Sequence, residues 1–185
     1  MALEEAWPSV KHALGGPPLR WLFPIIVLLV GGCASGRIRD GAYVNEAKGF
    51  VARLPSTAWN VEASGEPDLL LSHRHRRAGI SVHAVCGAIP PDRRVEIASR
   101  HLFFGIREKR ILHDYRRADL RDDAVEVVMR GKADDEDLLL HGYTVKGSAC
   151  LYDLVLFAAP EDYPSVNGDF EALVRGFRHS ERNAP

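Results

Sequence analysis

Leu138-Leu-Leu-His-Gly-Tyr-Thr-Val-Lys146, then Gly147-Ser148, then Cys150-Leu-Tyr-Asp-Leu-Val-Leu-Phe-Ala-Ala159 decides the fold. The two runs read as antiparallel strands joined across the Gly147-Ser148 turn. In the second run Cys150, Tyr152, Leu154 and Leu156 face one way, and Leu151, Val155 and Phe157 face the other. A strand apolar on both faces belongs at the centre of a sheet covered on both sides. The covers must then be helices or further layers.

Working outward, Ala124–Arg130 is a strand with Val125, Val127 and Met129 on one face, and Arg110–Tyr115 is another. The acidic stretch Asp134–Asp137 fills the loop between two strands and lacks the alternating ligands, glycine and distant glutamate of a calcium loop. Upstream, Leu69–His73 and Gly79–Cys86 form a hairpin around Arg74–Ala78, and shorter strand signals lie at Val51–Leu54 and Trp59–Val61. Between the halves, Pro91-Asp92 suits the start of a long helix in which Val95, Ala98, Leu102 and Ile106 form the core stripe and Gly105 marks the exit. Phe170, Leu173, Val174 and Phe177 give a second helix at Val166–Arg175. The sum is an α+β domain: a mostly antiparallel sheet with helices packed on it.

The N-terminal 32 residues stand apart. Trp21-Leu-Phe-Pro-Ile-Ile-Val-Leu-Leu-Val30 leads into Gly31-Gly32-Cys33-Ala34-Ser35. The apolar run is half the length of a membrane span, and Pro24 argues against a buried helix. A short apolar core ending in small residues and cysteine resembles the lipobox of bacterial lipoprotein signal peptides. That reading makes residues 1–32 a signal peptide, Cys33 the lipidated residue and 33–41 a tether. A signal starting nearer Leu19-Arg20 would have the usual charge, since Glu4 and Glu5 cancel Lys11 and Arg20. Ala34 is not the aspartate associated with inner-membrane retention. The expected place is therefore the outer membrane, facing the periplasm.

Of the chain's 185 residues, 153 follow the signal, enough for one domain with a full core. They carry a net charge near −1, so the basic footprint of a nucleic-acid binder is missing. One domain is expected over 42–178, with a frayed tail at 179–185. Cys86 and Cys150 remain after Cys33. In an oxidising compartment they form a possible disulfide, and buried free thiols are the alternative.

Tyr43-Val-Asn-Glu-Ala-Lys-Gly-Phe50-Val-Ala-Arg-Leu-Pro55, followed by Trp59, looks like the opening of the Mog1/PsbP-like superfamily. The element order that follows, down to Gly176-Phe177-Arg178, is similar to that superfamily as well. The resemblance implies an α/β/α sandwich and a docking or accessory role without a shared active site, so no catalytic residue is carried over.

The chemistry-bearing residues give little more. There is no nucleophile elbow, phosphate loop or dinucleotide fingerprint. His73, Arg74, His75, Arg76 and Arg77 form a basic hairpin tip. It reads as a solvated turn or as a contact for anionic lipid or an acidic partner. His73, His75 and His83 could hold a metal only against the charge of three arginines, so no metal is expected. His141 reads as a hydrogen-bonded core histidine. The function expected is a non-enzymatic, membrane-anchored binding module with an envelope protein as partner and no cofactor. The alternatives are a carrier of a small apolar ligand, with its pocket between sheet and helix, and an enzyme of unknown class.

Overall fold

A computed structural model describes residues 36–62, 67–87, 94–99, 102–117 and 123–180. Cys33 and the rest of residues 1–35 lie outside this range. The strands are β1 (Arg37–Arg39), β2 (Ala42–Asn45), β3 (Phe50–Arg53), β4 (Trp59–Glu62), β5 (Leu69–His73), β6 (Ala78–Cys86), β7 (Arg107–Arg116), β8 (Asp123–Ala133), β9 (Glu136–Lys146), β10 (Cys150–Ala158) and β11 (Arg178–His179). The helices are α1 (Val95–Ser99) and α2 (Tyr163–Gly176).

Seven strands make an antiparallel sheet in the order β4-β5-β6-β10-β9-β8-β7. β10 is central, as its two apolar faces require. Tyr152, Leu154 and Leu156 join Ile80, Val82 and Tyr143 under α2, which adds Val166, Phe170, Leu173 and Val174. The opposite face buries Val125, Val127, Met129 and Leu140 under Val95 and Phe103. Gly142 is needed there, since a Cβ would stand 2.4 Å from Leu102 and 2.8 Å from Phe103. No described helix is long and apolar enough to cross a membrane.

The first helix is shorter than its periodicity predicts. α1 spans Val95–Ser99, a turn follows, and Gly105 (φ +86°) makes the exit. Leu102 and Ile106 still pack on the core, but from this irregular segment. The expected start at Pro91-Asp92 lies outside the described residues. The turn between β8 and β9 is two residues, Asp134 and Asp135, both at positive φ, and Asp137 belongs to the strand. β7 is wholly exposed, and two register shifts break its pairing with β8. Irregular pairing and charged side chains are common guards of an edge strand.

A second sheet, β1-β2-β3-β11, shares the α2 layer and corrects two expected boundaries. Residues 37–39 are not tether. They pair with β2, so the fixed body begins earlier than Ala42. His179 is not tail: it pairs with Phe50 and stacks on Tyr152 at 5.1 Å. Both strands are too short to leave a periodic signal. Asp68 latches this sheet to the larger one. Its carboxylate accepts from Lys48 Nζ (2.9 Å) and the Ala84 amide (2.8 Å), and its carbonyl accepts from the Tyr43 hydroxyl (2.5 Å).

Candidate functional site

The sheet face beneath α2 carries a buried polar cluster. Alternation puts His141 and Tyr143 of β9 on that face, and the register sets Glu126 of β8 opposite Tyr143. On α2, Tyr163, Asn167 and Glu171 recur every four residues and so form one stripe. Nε2 of His141 lies 2.8 Å from Glu126 Oε1 and 3.8 Å from Glu171 Oε1. Its Nδ1 lies 2.9 Å from Asn167 Oδ1 and 3.0 Å from the Tyr163 hydroxyl. Tyr143 donates to Glu171 (2.7 Å), and Arg117 donates to Glu126 Oε2 (2.6 Å) and to the Tyr143 oxygen (2.5 Å).

Burial works against ionisation of Glu126, but hydrogen bonds from Arg117 and Tyr115 and the nearby imidazole outweigh it. Its carboxyl is held below the ordinary glutamate range. Burial, then the charge of Glu171, pushes the Tyr143 hydroxyl far above the usual tyrosine range and Tyr163 up to about 12. Both phenols therefore stay protonated as donors.

The ligand atoms of Glu126, His141 and Glu171 lie within 4.8 Å of one another, a spacing that could hold a metal ion. One imidazole and two carboxylates suit zinc or manganese. The engaged atoms argue against it. Glu126 is bound through one oxygen to His141 and through the other to the Arg117 cation, and both nitrogens of His141 are taken. The side chains of His141 and Glu126 are 3% and 6% exposed, so a substrate would have to lift α2 to reach them. The cluster pins the helix to the sheet. Sequence reading placed His141 as a bonded core histidine but missed Glu126 and Glu171.

The other face holds an open cleft of about 440 Å³ between α1 and the sheet. Ala98, Leu102, Leu151 and Val155 make apolar walls around Ser81, His83 and Asp153. Burial raises the Asp153 carboxyl above the usual aspartate range, opposed by a 2.8 Å bond from the Thr144 hydroxyl.

Cys86 and Cys150 stand directly opposite in β6 and β10 and are joined by a disulfide, S–S 2.02 Å. Two arginines of the basic tip are ion-paired at the surface. Arg76 meets Asp162 at 3.3 Å, Arg77 is paired with Glu136, and the Arg77 amide donates to Asp162 at 2.9 Å. His73 packs edge-on to Trp59. Arg74, His75, Arg76 and Arg77 are all exposed. His83 is not brought to them: it sits opposite Asp153, further along β6.

No protein-family model matches the chain, and no curated protein matches it in sequence. Among solved structures, the cyanobacterial PsbP (CyanoP) of Synechocystis sp. PCC 6803 superposes with a TM-score of 0.57 at 16% identity, over 82% of this chain and 96% of that one. The fold is PsbP-like. PA94 of Pseudomonas aeruginosa, a protein of unknown function, is similar at a TM-score of 0.45 and 11% identity, over 81% of this chain and 95% of that one. In the PsbP-like domain described here, the stretch Tyr43–Phe50 has a mechanical purpose. It supplies Tyr43, Asn45 and Lys48 to the Asp68 latch.

Proposed function

We propose that the chain is an exported lipoprotein, anchored through Cys33, whose PsbP-like domain acts as a non-enzymatic binding module in the bacterial envelope. Its place is the outer membrane, facing the periplasm, with an envelope protein as partner. The observation that carries this reading is the Cys86–Cys150 disulfide. Disulfides persist in oxidising compartments, and the apolar run ending at Cys33 asks for the same destination on separate grounds. The saturated state of the His141 cluster supports a module without chemistry of its own.

Palmitate labelling and fractionation of cells expressing the chain or its Cys33→Ala form test the reading. The expected result is label and membrane recovery for the former only. Equal fractionation without label sinks it. Affinity capture from envelope membranes then tests the partner: the lipidated form should retain a protein that the Cys33→Ala form loses.

A second reading, a carrier of a small ligand, is favoured by the cleft between α1 and the sheet. Native mass spectrometry of protein taken from envelopes should find a bound small molecule, absent when Val155→Trp fills the cleft. An empty wild-type spectrum would remove this reading.

A further inference from the structure

We infer that the domain rests directly on the membrane that holds its lipid, with β1 as the contact strand and Arg37 and Arg39 meeting lipid phosphate groups. The inference depends on lipidation at Cys33 as proposed above.

The reach of the chain carries it. Gly36 is pressed against the ring of Tyr43 so closely that a Cβ would stand 2.2 Å from it. Tyr43 is itself buried and bonded to Asp68. The fixed body therefore starts at Gly36, and only Ala34 and Ser35 separate it from Cys33. Three Cα–Cα steps span at most about 11 Å. The headgroup layer of a leaflet takes up roughly 5–7 Å of that. The remainder is shorter than the ~8 Å screening length at physiological salt. Gly36 therefore cannot stand clear of the headgroups, and β1 begins at the next residue.

The strand is suited to that position. It is an outer strand of its sheet, and all three residues are exposed, Ile38 by 56%. Arg37 is paired with Glu46 and Arg39 lies 3.9 Å from Asp40, but each pair joins exposed groups. Such pairs contribute little, and a phosphate offers arginine a bidentate partner in exchange.

The His73–Arg77 tip lies at the opposite end of β5 from Asp68. Asp68 at the start of β5 touches the small sheet, and His73 lies five residues further on, about 17 Å along the strand.

The test uses the full lipidated protein in vesicles of phosphatidylethanolamine and phosphatidylglycerol with brominated acyl chains. Trp59 is the only tryptophan after Cys33 and gives a buried baseline. Ile38→Trp and His75→Trp each add one reporter at an exposed position. The added emission of Ile38→Trp should be blue-shifted and quenched, and that of His75→Trp should be neither. Arg37→Gln with Arg39→Gln should leave flotation intact and weaken the quenching, by roughly five-fold in strand partition per charge. A protein that floats with Ile38→Trp unquenched, or with His75→Trp quenched in its place, overturns this inference alone. A wild-type protein that does not float removes the lipidation reading and this inference together.

Discussion

Replacing both Cys86 and Cys150 with alanine should lower stability by about 4 kcal/mol while leaving the fold intact. The bond closes a loop of sequence separation 64. The chain-entropy relation for a loop of that length gives about 4 kcal/mol of constraint lifted from the unfolded chain. The folded state has little to lose by comparison. β6 and β10 pair without interruption from Ala78↔Ala158 to Cys86↔Cys150, and the bond joins residues that the ladder already holds opposite. For a domain of this size, about 4 kcal/mol corresponds to a fall in Tm of roughly 8–16 °C. Thermal unfolding of the oxidised protein, the reduced protein and the double variant measures it. The latter two should melt together, with the far-ultraviolet spectrum of the native state unchanged. A fall of less than about 3 °C, well below that range, would refute the reasoning. It would mean that the cross-link is not formed or that the unfolded chain is constrained by something else.

Glu126→Gln should cost about 3 kcal/mol at neutral pH, because it leaves the Arg117 cation without its buried partner. The Glu126 carboxyl titrates below its unfolded value of about 4.3. Its contribution is therefore complete above that pH and lost as pH falls through the lower, folded value. Urea midpoints taken from neutral pH into acid should fall more steeply for the wild type, and parallel curves would exclude the ion pair as the cause. Gly142→Ala should destabilise by about 1–3 kcal/mol, since the new methyl drives into Leu102 and Phe103; an unchanged Tm would mean that the segment after α1 gives way freely. Ending the chain at Phe177 should expose the amide of Val51 to hydrogen exchange while those of β10 stay protected. Equal exchange throughout would mean that the two sheets melt as one unit.

The central strand, its hairpin with β9 and the helix after it were legible because each carries a long periodic signal. Leu154 and Phe157 report a sheet covered twice, and Phe170 and Leu173 report a helix face. β1 and β11 were not legible: three and two residues cannot show a period, and Arg37-Ile-Arg39 carries none of the apolar alternation that marks a strand. The His141 cluster was half legible. A histidine alternating with leucine and tyrosine announces a buried, bonded imidazole, but its partners come from β8 and from α2. Glu126 looks like the solvent-facing charge of a half-buried strand until the helix is laid over it. The charge balance of the basic tip was not legible for a similar reason. Five consecutive His and Arg residues read as a patch, and the acids that neutralise it, Glu136 and Asp162, lie 59 and 85 residues from Arg77. Local pattern reports faces and periods; charge balance is set by contacts across the chain.

The small sheet draws three strands from the opening of the domain and its fourth from Arg178–His179. Its ring contact of Phe50 with Phe177 likewise joins the first part of the chain to the last. A chain delivered from its N-terminus can build the hairpin of β2 and β3 early, but the position beside β3 stays vacant until the final residues arrive. Completion of the small sheet thus waits on Arg178 and His179. A product cut short before Arg178 would present an open strand edge, the feature by which quality control and aggregation both recognise an unfinished protein.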